Sequence, residues 1–240
     1  MLPLRDNIPA SRVPVVTYAI VALNVLAFLY ELVLPAWDLQ TLFLHRGIVP
    51  VRYTVSEVAQ LFSFGEQVSA LFTSMFLHGG WMHLIGNMWT LWVFGDNVED
   101  RLGRMRYLVL YLTGGLAAAG LHIYSNPGSV VPTIGASGAV AAVMGAYFRL
   151  YPHARVQMVI PPFFFGPYFV VPAVIFLGWW FILQFFNGTL SLLAADSQFG
   201  GVAWWAHVGG FVFGALLCSV VRVRQFYRRH YVDEDDPFAW

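Results

Sequence analysis

The sequence predicts an all-α membrane protein, a polytopic bundle of six transmembrane helices, and three observations carry that prediction. Of 240 residues, 58% are hydrophobic and 11% charged, against about 25% charged in soluble domains. Residues 107–148 and 156–195 run without one charged side chain, and a membrane span needs ~20 such residues. The basic side chains other than histidine are all arginine, and they cluster at alternate ends of the apolar segments.

The elements follow in order. A first span is expected over residues 15–34, preceded by Arg5 and Arg12. Residues 35–80 form a long outer loop. Its apolar stretch 68–77 has about half the length a spanning helix needs, so the loop should lie in or on the outer interface. Spans two and three, 81–98 and 106–124, meet at a short link carrying Arg101, Arg104 and Arg106. Span four, 137–151, and span five, 168–187, flank a link with Arg149 and Arg155. Span six, 202–222, runs into Arg222, Arg224, Arg228 and Arg229. These groups hold eleven of the thirteen arginines, so the positive-inside rule places both termini in the cytoplasm. Only Arg46 and Arg52 fall outside. Residues 1–222 read as one membrane domain, and residues 223–240 as a short, solvated cytoplasmic tail ending acidic at Asp233, Glu234, Asp235 and Asp236.

Other classes are poorly served by this composition. Net charge is zero, which offers nothing to nucleic acid. The single cysteine, Cys218, rules out an intrachain disulfide and reads as a small apolar packing residue. Residues 1–14 lack the apolar core of a signal peptide. Short loops and arginine-only basic usage point to a bacterial plasma membrane.

Depth singles out three polar side chains. Ser137 precedes Arg149 by 12 residues, Asn87 precedes Glu99 by 12, and His207 precedes Arg222 by 15. At ~1.5 Å per helical residue these are about 18, 18 and 22 Å from the inner face. In a core ~30 Å thick, all three lie at one level, roughly 8–12 Å below the outer surface. Span four is too short to cross as helix alone. Its serine end must stop inside the membrane, with the polar chain above it shielded by protein or by a water-filled cavity.

Polar groups at that depth need partners. His83 and Asn87, four apart, share a helix face. Gly138 with Ala142 and Gly145 on span four, and Gly210 with Gly214 on span six, give the small-residue spacing that lets two helices approach closely. Such an approach would bring Ser137 and His207 within hydrogen-bond reach. Each feature alone has a blander meaning. A Gly-Ala-Ser-Gly run is usually a packing motif, a lone membrane histidine is more often a satisfied core residue, and His83 with Asn87 could be interhelical glue. His122 and His153, near helix ends, read as structural. The coincidence of depth, spacing and residue type favours catalysis.

At this point the chain resembles the rhomboid intramembrane serine proteases over almost its whole length. The resemblance rests on His78-Gly79-Gly80-Trp81-Met82-His83 followed by Asn87, on Gly135-Ala136-Ser137-Gly138, and on Ala206-His207 with Gly210 and Gly214. Glu99-Asp100-Arg101-Leu102-Gly103 also looks like the family's end of the second helix. The resemblance implies a six-helix bundle with Ser137 as nucleophile and His207 as general base. His83, Asn87 and the Ser137 N–H would form the oxyanion hole, with His78, Gly135, Gly138, Gly210 and Gly214 in support. It implies no cofactor or metal, and as substrates single-span membrane proteins cut near the outer face of the bilayer. Two departures stand out. Where some relatives stack a tyrosine on the histidine, this chain has Ala141, so the base should be held otherwise, for instance by Trp205. The first loop also lacks the Trp-Arg pair of some members.

Rival chemistries fit less well. No His-Glu-x-x-His zinc motif is present. An aspartyl mechanism needs two acids sharing a site, and Asp96, Glu99 and Asp100 cluster at the expected solvated inner end of span two. Glu31 and Asp196 are not at the depth of His207, which leaves a dyad rather than a triad. Proline and glycine in span five (Pro172, Gly178), after Pro161-Pro162, mark its outer part near Trp179–Phe186 as a substrate gate. The rival functions are a non-catalytic binder or escort of membrane helices and a small-solute or proton channel. The sequence does not fix the oligomeric state.

Overall fold

The computed structural model describes residues 2–160, 168–193 and 203–221. Pro161-Pro162, Asp196 and the tail from Arg222 onward lie outside the described residues. Among the described residues the body is formed by six long helices: α1 (Val15–Val33), α6 (Trp81–Leu102), α7 (Arg104–Ser125), α8 (Ser137–Leu150), α9 (Ala173–Leu193) and α10 (Trp204–Val220). Four short helices, α2 (Ala36–Arg46), α3 (Val51–Thr54), α4 (Ser56–Ala59) and α5 (Phe64–Thr73), fill the first loop. Among the described residues, α1, α7 and α9 are long and apolar enough to cross a membrane by length and composition. The apolar α10 is shorter, with 17 residues, and α8 has only 14.

The protein is not purely helical. Strands β1 (Leu2–Asp6), β2 (Arg155–Val159) and β3 (Tyr168–Pro172) form an antiparallel sheet in the order β1-β2-β3. The sheet corrects the expected start of span five: residues 168–172 are strand, and the helix begins at Ala173. Tyr168, Phe169, Val170 and Val171 are aromatic or β-branched and suit a ladder. Pro172, with no N–H to donate, closes the strand before the helix starts. An unbroken apolar run hides such a boundary, because strand and helix look alike when hydrophobicity has no period.

Helix α8 is the centre of the packing. It lies against α10 and α7, and less extensively against α6. Every residue from Gly138 to Tyr147 is buried. Missing side chains make this possible. A Cβ on Gly210 would lie 2.1 Å from the Gly138 carbonyl oxygen, and one on Gly214 1.9 Å from that of Ala142. On the other side, a Cβ on Gly114 would lie 2.2 Å from that of Ala142. The backbones of α8 and α10 are therefore in direct contact at the level of Ser137. In contrast, α9 buries only Ala173, Leu177, Gln184 and Gly188.

The end of the bundle where α1 begins and α6 ends is pinned by acids. Glu99 is buried, and its carboxylate accepts from the Val16 and Thr17 N–H groups (2.9 and 2.8 Å) and from Thr17 Oγ1. It thereby caps α1, whose first N–H groups have no partner within the helix. This corrects the expectation of a solvated acidic cluster. Asp100 accepts from Ser11 Oγ and N–H. Gly103, at φ +83°, makes the turn into α7 that a side chain would strain.

The first loop has a structural task. Ile48 and Thr133 exchange backbone hydrogen bonds of 2.9 and 2.7 Å, Val51 N–H donates to Ser129 O, and Gly135 N–H donates to Ser74 O at 2.8 Å. The chain leading to Ser137 is thus hydrogen-bonded by protein. The Arg52 guanidinium is buried, donates to Leu44 O and His45 O, and lies 3.8 Å over the Phe62 ring. One of the two arginines that broke the charge pattern is therefore spent inside the loop itself.

Candidate active site

Ser137 opens α8, and Val140 N–H bonds Ala136 O. The N–H groups of Ser137, Gly138 and Ala139 precede the first intrahelical bond, at the positive end of the helix dipole. Contact between α8 and α10 brings His207 to the serine, with Nε2 2.8 Å from Ser137 Oγ. Both residues are half-buried.

Gln184 of α9 lies on the other side of the imidazole, its Oε1 2.8 Å from His207 Nδ1. Sequence reasoning missed it. An amide within the most apolar part of the span was the available signal, since such a group needs a partner in lipid. Trp180 and Trp204 flank the ring, with centroids 5.8 and 6.4 Å away. Trp205, expected to hold the histidine, instead donates from its indole to Gly188 O at 3.1 Å, tying α10 to α9.

His83 and Asn87 reach the mouth of α8 from α6. A Cβ on Gly135 would lie 2.6 Å from His83 Cε1 and Nε2 and 3.7 Å from Asn87 Nδ2. Gly135, at φ +125°, is therefore required both by its backbone and by the His83 ring, while Asn87 lies at ordinary contact distance. Asn87 Nδ2 is 3.0 Å from His78 Nε2, and the His78 and His83 rings meet edge-on at 5.1 Å. The His78 N–H in turn donates to the buried Glu31 carboxylate at 3.1 and 3.2 Å. The sequence-predicted residues Ser137, His207, His83, Asn87, His78, Gly135, Gly138 and Gly210 thus converge on one place, with Gly214 one turn further along the same contact. His122 stands apart, its Nε2 2.7 Å from Thr133 Oγ1. Among the described residues, no group of three or more His, Cys, Asp or Glu is placed to hold a metal ion.

A family model described as the rhomboid domain matches residues 65–224, more than half of the chain and all of these residues. The chain belongs to the rhomboid family. Among its relatives are the mitochondrial presenilin-associated rhomboid-like protein A of Danio rerio, 29% identical over 59% of this chain and 34% of the relative. The mitochondrial rhomboid protein 1 of Saccharomyces cerevisiae is 30% identical over 60% and 39% respectively. Rhomboid-like protease 5 of Toxoplasma gondii is 31% identical over 69% of this chain but 17% of the relative. The matched region spans well under half the length of each. Two of the three are named as mitochondrial, which the bacterial reading of the arginine usage did not anticipate.

Proposed function

We propose that this rhomboid is an intramembrane serine endopeptidase that cuts single-span membrane proteins near the outer face of the bilayer, with all six long helices set in the membrane and both termini on the cytoplasmic side. The observation that carries the reading is the 2.8 Å contact of His207 Nε2 with Ser137 Oγ at the open end of α8. Serine is a weak nucleophile without an adjacent base. Here the imidazole takes the Oγ proton as oxygen attacks a substrate carbonyl, then returns it to the leaving amine. The acyl-enzyme is hydrolysed by water that the same imidazole activates. Charge on the former carbonyl oxygen would meet the Ser137 N–H, Asn87 and His83, fixed donors in a low-dielectric site. No cofactor enters these steps.

Substrate entry falls to α9, the long helix with few buried residues. Its outer part around Trp179–Phe186 exposes Trp179, Ile182, Phe185 and Phe186 to the lipid side. Displacing it would open a lateral path to Ser137.

The test is cleavage of a single-span substrate by the purified protein in lipid, comparing wild type with Ser137→Ala. Product from wild type alone, with the variant folded, is the expected result. Equal cleavage by both would overturn the reading.

A further inference from the structure

We propose that Gln184 is the orienting third member of the site, a neutral amide in the place a carboxylate fills in a Ser-His-acid triad. The proposal rests on the protease reading of Ser137 and His207. Gln184 lies on α9, 23 residues before His207 and far from the motifs that mark the site.

The hydrogen bonds of Gln184 leave it one orientation. Its Nε2 is 3.2 Å from the Trp180 carbonyl oxygen, which accepts and cannot donate. The amide NH₂ therefore faces Trp180, and Oε1 faces the imidazole at 2.8 Å. An oxygen that only accepts requires a proton on Nδ1. In the neutral ring the lone pair then belongs to Nε2, the atom 2.8 Å from Ser137 Oγ. One carbonyl on α9 thus fixes, through one amide, the tautomer in which His207 accepts the serine proton. Without it the ring can carry its proton on Nε2 and point a donor at the nucleophile.

During the attack the Oγ–H bond breaks, Oγ bonds to the substrate carbon, and Nε2 gains the proton. The Nδ1 proton stays on Nδ1, shared with Gln184 Oε1, whose carbonyl dipole stabilises the imidazolium. Gln184 gains and loses no proton, so it is a positioning residue. An amide does this in lipid without the cost of a buried carboxylate. The flanking Trp180 and Trp204 rings limit the plane of the imidazole but supply no acceptor to Nδ1.

The placement ties orientation of the base to helix position. Gln184 is one of only four buried residues of α9, so moving that helix off α10 withdraws the acceptor. The base would be correctly set only while α9 is seated.

The test uses the full chain in lipid with a single-span substrate, comparing wild type, Ser137→Ala, Gln184→Met, which keeps the volume, and Gln184→Glu, which keeps an acceptor. Gln184→Met should lower kcat roughly 10- to 100-fold with KM within about threefold. Gln184→Glu should recover most of the loss. Activity of Gln184→Met within twofold of wild type would overturn the proposal. Nitrogen-15 NMR of His207 in the wild type gives an independent check that needs no variant. A proton on Nδ1 is expected, and one on Nε2 would overturn it. An active wild type with an inactive Ser137→Ala secures the protease reading separately, so the two failures are distinguishable.

Discussion

His83 approaches Gly135 so closely that an added Cβ there would lie 2.6 Å from its ring, with Asn87 Nδ2 3.7 Å away. One N–H of the Asn87 amide is directed at His78 Nε2, 3.0 Å away, and in the protease reading the other serves an oxyanion. His78 is in turn held through its own N–H by Glu31, so the donor is set by a chain reaching from α1 across α6. Removing it should cost what one lost oxyanion donor costs. We expect Asn87→Ala to reduce turnover by roughly 10²–10³ with fold retained, and unchanged turnover would refute the role. At this scale the residues that gather around Ser137 were legible in the sequence, because polar side chains beside small residues stand out in apolar segments. Gln184 was not, since nothing in the sequence shows that it, rather than Asn187 three residues on, turns toward α10. Trp205 was misplaced because sequence order says nothing about which of two adjacent tryptophans faces the imidazole.

Helices were legible where hydropathy changes sharply, and strands were not. The face of α1 made by Thr17, Ile20, Asn24, Phe28 and Glu31 is buried at helical spacing; Thr17 and Glu31 find partners across the bundle, and the Asn24 amide donates to Ile20 O of its own helix. The strand β1 escaped notice because five residues of mixed character carry no period. Its docking is nonetheless specific. Asp6 is buried and accepts from Tyr147 Oη, from Asn97 Nδ2 at 2.8 Å and from the Ile8 N–H at 3.1 Å. Burial pushes its carboxyl up from 3.8 to about 8, and the nearby Asp96 adds to the rise. Between these values the folded state binds more protons at Asp6 than the unfolded chain does, so this group makes stability fall as pH rises across that window. Thermal midpoints in detergent should decline between about pH 5 and pH 8 in the wild type and decline less in Asp6→Asn. An identical slope in both proteins would contradict this account.

At the scale of the whole molecule, two features converge on the mouth of α8 and a third holds the opposite end of the bundle. The first loop hydrogen-bonds the chain that descends to Ser137, the glycine contact with α10 delivers His207, and Glu99 pins α1 against α6. The sequence announced the second through small-residue spacing and the third through its acidic cluster, though Glu99 serves as a buried cap rather than a solvated group. The scaffolding by the loop could not be read, because Ile48–Thr133 pairing is a long-range backbone contact that no side-chain pattern encodes. The protease reading asks one chemical consequence of these parts, a serine made nucleophilic by His207. The most direct measurement is mass-spectrometric mapping of a fluorophosphonate adduct on the lipid-reconstituted protein, comparing wild type with His207→Ala. The account predicts an adduct on Ser137 in the wild type and its loss when the imidazole is removed. No adduct on Ser137, or labelling that persists without His207, would contradict it.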